Sequence, residues 1–268
     1  MMCASSSAGV HVDAAGTVVL ENPEPLERAE MSLGAPSTNN QFTARTLRSV
    51  KIQGPAGQLE GLLNQGAGDA AFAALVCHPH PLGGGTMHNK VVYHAMQVMN
   101  RRHWGFEFPV LRFNFRSVGL SDGQHDGKAE FQDVLAALDW LEREFARPIV
   151  VAGFSFGAAM TLKACCGSDV VDPRVRAIAA LGLPAGVPGR AYEYSFLEKP
   201  SLEAANLPKL FLSGRRDEFT RPEQLESVVA RAAKPKELIF IPGADHFFTH
   251  QLSAMQQAMA GWLKEHAA

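Results

Sequence analysis

The sequence predicts an α/β fold: a mostly parallel central sheet with helices on both faces. Three observations carry this. Short, continuous apolar runs recur along the chain. Amphipathic segments lie between them. The two alternate from about residue 42 to the end. Continuous apolar runs mark strands buried on both faces, and strand–helix alternation builds parallel sheets.

The elements follow in order. Thr43–Ile52 and Leu59–Leu63 read as strands around a Gly-Pro-Ala-Gly turn. Their link is too short for a crossover, so they form an antiparallel N-terminal edge. Ala70–Cys77 is a buried strand ending at His-Pro. Lys90–Arg101 has apolar residues at helical spacing, and Val110–Phe115 is the next strand. Ala129–Glu144 is an amphipathic helix with Val134, Leu135, Leu138 and Leu141 on one face. Pro148–Ala152 is a strand and Phe156–Cys166 a helix. Val175–Leu181, Lys209–Leu212 and Glu237–Ile241 are strands, and Pro222–Ala233 and Leu252–Glu265 are helices. In such sheets ligands sit beyond the carboxyl ends of the strands.

Composition narrows the function. The chain has 268 residues, with 25 Lys and Arg against 27 Asp and Glu, a net charge of −2. Neither a basic excess nor a basic stripe is present, which argues against nucleic acid. The longest apolar runs, such as Ile178–Leu183, fall far short of the roughly 20 residues that span a membrane. Cys3, Cys77, Cys165 and Cys166 are too sparse for a disulfide framework, so free thiols in a reducing cytoplasm are expected. Met1–Val10 lacks the pattern of a signal peptide. Residues 1–41, rich in Ser, Ala, Gly, Pro and Asn, read as a poorly ordered leader, and 42–268 as one domain. Oligomeric state stays open.

Gly153-Phe154-Ser155-Phe156-Gly157 fits G-x-S-x-G, directly after one strand and directly before a helix. This pattern presents a serine hydroxyl at a sharp strand-to-helix turn. A serine hydroxyl needs a base to take its proton, and the base needs an orienting group. Two residues follow in the right order, each just past a strand end: Asp217 after Lys209–Leu212, and His246 after Glu237–Ile241. Glu218 and Asp245 are rival acids. Asp217 is preferred for its G-x-x-D position, because Asp245 is too close in sequence to reach the His246 ring. Asp217 could also be a helix cap before Pro222.

Such chemistry needs donors for a developing oxyanion. One is the backbone N–H of Phe156, the residue after the serine. The other should come from the loop His78-Pro79-His80-Pro81-Leu82-Gly83-Gly84-Gly85. The prolines lack an N–H, so His80 is the first choice and Leu82 the second. His78, His80 and His88 also suggest a metal, but no carboxylate or cysteine completes a ligand set, and none is expected.

Three stretches together carry a resemblance: His78-Pro79-His80-Pro81 with Gly-Gly and Met-His-Asn; Arg112-Phe113-Asn114-Phe115-Arg116-Ser117-Val118-Gly119-Leu120-Ser121; and Gly153–Gly157. They resemble a bacterial group of small α/β-hydrolase proteins related to dienelactone hydrolases and cytosolic serine esterases. The resemblance runs from about Thr43 to the C-terminus. It implies an α/β-hydrolase fold with an eight-stranded core, Ser155 as nucleophile, His246 as base, Asp217 as orienting acid, and no cofactor. Two positions depart from the pattern. Ser117 stands where the group often has Gly, and Ser155 stands where dienelactone hydrolases proper carry Cys, so dienelactone chemistry is not transferred.

His78, Leu82, Arg116 and Tyr194 are expected to support or line the site, Arg116 by bonding carbonyls or Asp122. The short stretch between Leu181 and Leu207 implies a minimal cap and an open site. The expectation is a serine hydrolase of carboxylesterase type (EC 3.1.1) acting on small-molecule esters. A peptidase or thioesterase would use the same residues, and a non-catalytic binding protein could share the fold.

Overall fold

The computed structural model describes residues 10–12, 18–20, 46–167, 172–186, 192–198 and 206–267. The chain divides into two compact units, Met1–Thr43 and Ala44–Ala268. In the first, β1 (Val10–Val12) pairs antiparallel with β2 (Val18–Leu20). Val18–Leu20 is too short to stand alone, and its partner was not anticipated. The rest of the expected leader lies outside the described residues.

The second unit holds one eight-stranded sheet. Its strands are β3 (Leu47–Gly54), β4 (Gly57–Asn64), β5 (Ala73–Cys77), β6 (Val110–Phe113), β7 (Ile149–Phe154), β8 (Val175–Leu181), β9 (Lys209–Gly214) and β10 (Lys236–Ile241). The order across the sheet is β10-β9-β8-β7-β5-β6-β4-β3. β3 pairs antiparallel with β4, and β4 antiparallel with β6; every other pairing is parallel. The expected antiparallel edge is therefore one reversed strand, β4, with β3 turned back to the common direction. Gly54 pairs with Gly57 across the tight turn.

Among the described residues, five α-helices cover the sheet: α1 (Lys90–Asn100), α2 (Phe131–Phe145), α3 (Phe156–Cys166), α4 (Pro222–Arg231) and α5 (Leu252–His266). The β5 side chains explain the layering. Ala73, Leu75 and Cys77 pack into one core with Leu138 of α2, Leu162 of α3 and Leu225 of α4. Ala74 and Val76 point the other way, into a core with Met96 of α1 and Met259 of α5. A strand facing two cores has no polar face, which is why its sequence is a continuous apolar run. α3 is buried at every position except Lys163, so its sequence is apolar all round. The Asn89 side chain caps α1 by accepting from Val91 N–H at 2.9 Å, and Pro222 opens α4.

β6 stops at Phe113, two residues before its expected end. Beyond it, the Asn114 N–H bonds to the Glu60 carbonyl and the Phe115 N–H to the His78 ring. The expected cap region is partly outside the described residues. Its described part contains one 3-10 turn, Ser195–Leu197.

Candidate active site

The site forms where β7 meets α3. Ser155 sits at that junction with φ 53° and ψ −118°, a conformation disfavoured for a residue with a side chain. The surroundings enforce it. The Ser155 N–H donates to the Leu181 carbonyl of β8 at 2.8 Å. The flanking glycines let the backbones close in. A Cβ on Gly157 would lie 2.5 Å from both the Cys77 and His78 carbonyl oxygens, and one on Gly153 would lie 2.4 Å from the Gly157 oxygen. The G-x-S-x-G spacing is thus a packing requirement, and its product is a serine held at the helix N-terminus.

Two further strand ends bring their residues to it. The Ser155 Oγ lies 2.9 Å from His246 Nε2, and His246 Nδ1 lies 2.8 Å from Asp217 Oδ2. A carboxylate only accepts, so Nδ1 carries the proton and Nε2 faces the serine hydroxyl as acceptor. His246 and Asp217 are buried. Asp217 Oδ2 also accepts from Ser213 Oγ at 3.1 Å, while Oδ1 accepts from the Phe219 and Thr220 amides at 2.8 and 3.1 Å. The aspartate therefore caps its own turn with one oxygen and holds the imidazole with the other.

The rival acids have other partners. Glu218 accepts from the His246 backbone N–H at 3.2 Å, and Asp245 accepts from the Thr249 N–H at 2.8 Å. Ser213 and Thr220 were not anticipated. Thr220 Oγ1 also donates to the Leu183 carbonyl and accepts from the Ala185 N–H, tying the loops after β8 and β9 together. The signal that could have found Thr220 is its place three residues after Asp217, a spacing at which a capping carboxylate meets a backbone N–H.

The loop after β5 lies against this junction. The His80 ring is 4.9 Å from the Phe156 ring, so the two residues named as donors are neighbours. The Leu82 N–H donates to His80 Nδ1 at 3.1 Å, which commits the second-choice amide to its own loop. Leu82 itself projects into solvent. His78 is fully buried. Its Nε2 accepts from the Phe115 N–H at 3.0 Å, and Nδ1 donates to the Pro79 carbonyl at 2.6 Å. It pins two loops together and has no ring nitrogen left for a metal. Burial pulls its pKa down to about 4. Among the described residues, no three His, Cys, Asp or Glu side chains gather in a group that could hold a metal ion.

Of the partners expected for Arg116, the structure shows a carbonyl, that of Ala129, and not Asp122. Arg116 does not reach Asp122, which instead accepts from the Gln58 N–H. Its guanidinium forms a buried, two-pronged ion pair with Asp133, at 3.0 Å from Nε and 2.7 Å from NH2, and also bonds the Ala129 carbonyl. The planar fork of Arg suits a carboxylate. Tyr194 is buried, with its hydroxyl donating to the Pro184 carbonyl at 2.7 Å. It lines a cavity of about 460 Å³ along α3, with Met160, Lys163, Tyr192 and Phe196. A second histidine–carboxylate pair was missed: His125 Nδ1 lies 2.6 Å from Glu130 Oε1, and the His125 ring packs against His80 and Phe156.

A buried carboxylate, an imidazole oriented by it and a serine hydroxyl in line can take a proton from that hydroxyl as it attacks an electrophile. A family model described as an alpha/beta hydrolase domain matches residues 74–267. An uncharacterised protein of Rickettsia prowazekii is 32% identical over 222 residues, covering 80% of this chain and 87% of its own. An alpha-beta serine hydrolase homologue from Coxiella burnetii superposes with a TM-score of 0.69 at 32% identity, over 81% of this chain and 97% of its own. A protein of Xanthomonas campestris, described as a serine hydrolase without lid, does so with a TM-score of 0.69 at 29% identity, over 86% and 99%.

Proposed function

Because the chain belongs to the alpha/beta hydrolase domain family, we propose that it is a serine esterase. It would cleave small carboxylic esters through a covalent acyl-enzyme on Ser155. The observation that supports this reading is the relay Ser155–His246–Asp217, with both links shorter than 3 Å.

In this mechanism His246 Nε2 takes the Ser155 proton as Oγ attacks the ester carbonyl. Asp217 keeps the imidazole in the required tautomer and stabilises the imidazolium that forms. The N–H groups of Phe156 and His80 receive the negative oxygen. His246 then gives its proton to the departing alcohol. Water enters, loses a proton to His246 and releases the acid, restoring Ser155.

The test is hydrolysis of short-chain acyl esters by the native chain and by Ser155→Ala. The variant should keep the native circular dichroism and lose at least about a thousandfold in kcat. Near-native turnover would refute the assignment.

A further inference from the structure

The loops around Ser155 end in apolar tips. Leu82, Leu120, Phe219 and Phe247 are large hydrophobic side chains left exposed on the loops that follow β5, β6, β9 and β10. Two of them touch the proposed base. The Phe219 and Phe247 rings lie 4.5 and 5.2 Å from the His246 imidazole, and 6.5 Å from each other. Phe247 also packs edge-on to Phe154, at 5.9 Å. Phe219 and Phe247 are 37% and 46% exposed, whereas His246 between them is 2% exposed. The two rings shield the imidazole and keep apolar surface open to solvent.

The chemistry specifies what occupies that surface. When the acyl-enzyme forms, the bond from the carbonyl carbon to the alcohol oxygen breaks, and that oxygen takes the proton from His246 Nε2. The alcohol oxygen must lie within hydrogen-bond reach of Nε2. Whatever is attached to it then extends past the imidazole. Two carboxylates neighbour the rings in the chain, Glu218, bonded to the His246 N–H, and Asp245, bonded to the Thr249 N–H, while Arg215, Arg216 and Arg221 share the loop of Phe219. An anionic leaving group would meet like charge from the two carboxylates.

We propose that Phe219 and Phe247 form the leaving-group subsite, and that it selects esters of neutral, apolar alcohols. This rests on the reading of Ser155 as nucleophile. It makes a thioester of a multiply phosphorylated thiol a poor substrate, which separates the esterase reading from the thioesterase one. Changing the Phe219 side chain leaves the backbone N–H that Asp217 accepts from in place; because both rings also pack on His246, the readout is the ratio between alcohols, which a general effect on the base leaves unchanged.

The experiment holds the acyl group constant as acetate and varies the alcohol: methyl, butyl, hexyl, benzyl, and glycolate, whose carboxylate is free. For the native chain, kcat/KM should rise from methyl to hexyl, by up to about three- to fourfold for each methylene that is buried. The glycolate ester should be the poorest. In the Phe219→Ala/Phe247→Ala double variant, the hexyl-to-methyl ratio should fall about tenfold. Phe219→Leu/Phe247→Leu should recover part of it, and Leu47→Ala, on β3 away from these loops, should leave it unchanged. A uniform loss across all alcohols, an unchanged ratio in the double variant, or a preference for the glycolate ester would overturn the proposal. Labelling by a fluorophosphonate, whose leaving group is fluoride and not an alcohol, separates the two failures. Labelled Ser155 with a flat alcohol series rejects the subsite alone; an unlabelled serine rejects the esterase reading and the subsite with it.

Discussion

At the scale of the residue, Asp217 shows how far sequence alone could reach. Its G-x-x-D position after a strand marked it out over Glu218 and Asp245, and it is the acid that faces His246 Nδ1. It also accepts from the Phe219 and Thr220 N–H groups, whereas the alternative read from sequence was a helix cap before Pro222, and the residue at the N-cap of α4 is Arg221. The carboxylate partner of Arg116 was not legible. Asp122 is six residues away and Asp133 seventeen, and no local rule favours the more distant carboxylate. His78 yields a prediction at this scale. Burial lowers its pKa from 6.5 to about 4, and protonation of Nε2 would also break its bond from the Phe115 N–H. Between those pH values the unfolded chain binds a proton that the folded chain does not. The stabilisation is therefore complete above about pH 6.5 and is lost as pH falls toward 4, amounting to about 3 kcal/mol. Urea unfolding at pH 7 and pH 4.5 should show a smaller acid-induced drop for His78→Gln than for the native chain. Parallel drops would contradict this account.

At the scale of the element, the strands and helices were legible because each carries one uniform burial pattern. β7 is buried at all six positions and reads as one apolar run. α2 buries Val134, Leu138 and Leu141 on one stripe and reads with a helical period. The ends were less legible where tertiary bonds decide them, as at Phe115, whose N–H bonds the His78 ring instead of a neighbouring strand. The start of α2 shows what an element end can carry. Asp133, in its first turn, holds both the guanidinium and the backbone N–H of Arg116, and so ties the loop after β6 to the helix. Removing one partner strands the other's buried charge. Asp133→Ala should cost about 3–5 kcal/mol in chemical denaturation. Replacing Arg116 and Asp133 together with Met and Leu should cost less than the single change. A single-variant loss below about 1 kcal/mol would show that the pair carries little of the loop's stability.

At the scale of the whole molecule, the site depends on one topological fact. β5, β7, β9 and β10 run parallel within one sheet, so the loops after them emerge on one edge. Reading the strands as parallel was enough to expect Ser155, Asp217 and His246 on that edge, beyond the strands' carboxyl ends. It was not enough to show which loops pack against which. The contact of His125 with His80 and Phe156, and the two phenylalanines beside His246, arise between segments far apart in the chain. Side-chain packing across loops leaves no periodic trace in a sequence.

The central claim is that this edge activates Ser155. The most direct measurement is labelling of the native chain with a fluorophosphonate, followed by peptide mass spectrometry, beside His246→Ala. The account predicts modification at Ser155 that disappears in the variant while its fold persists. Absence of labelling in the well-folded native chain, or equal labelling in the variant, would contradict it.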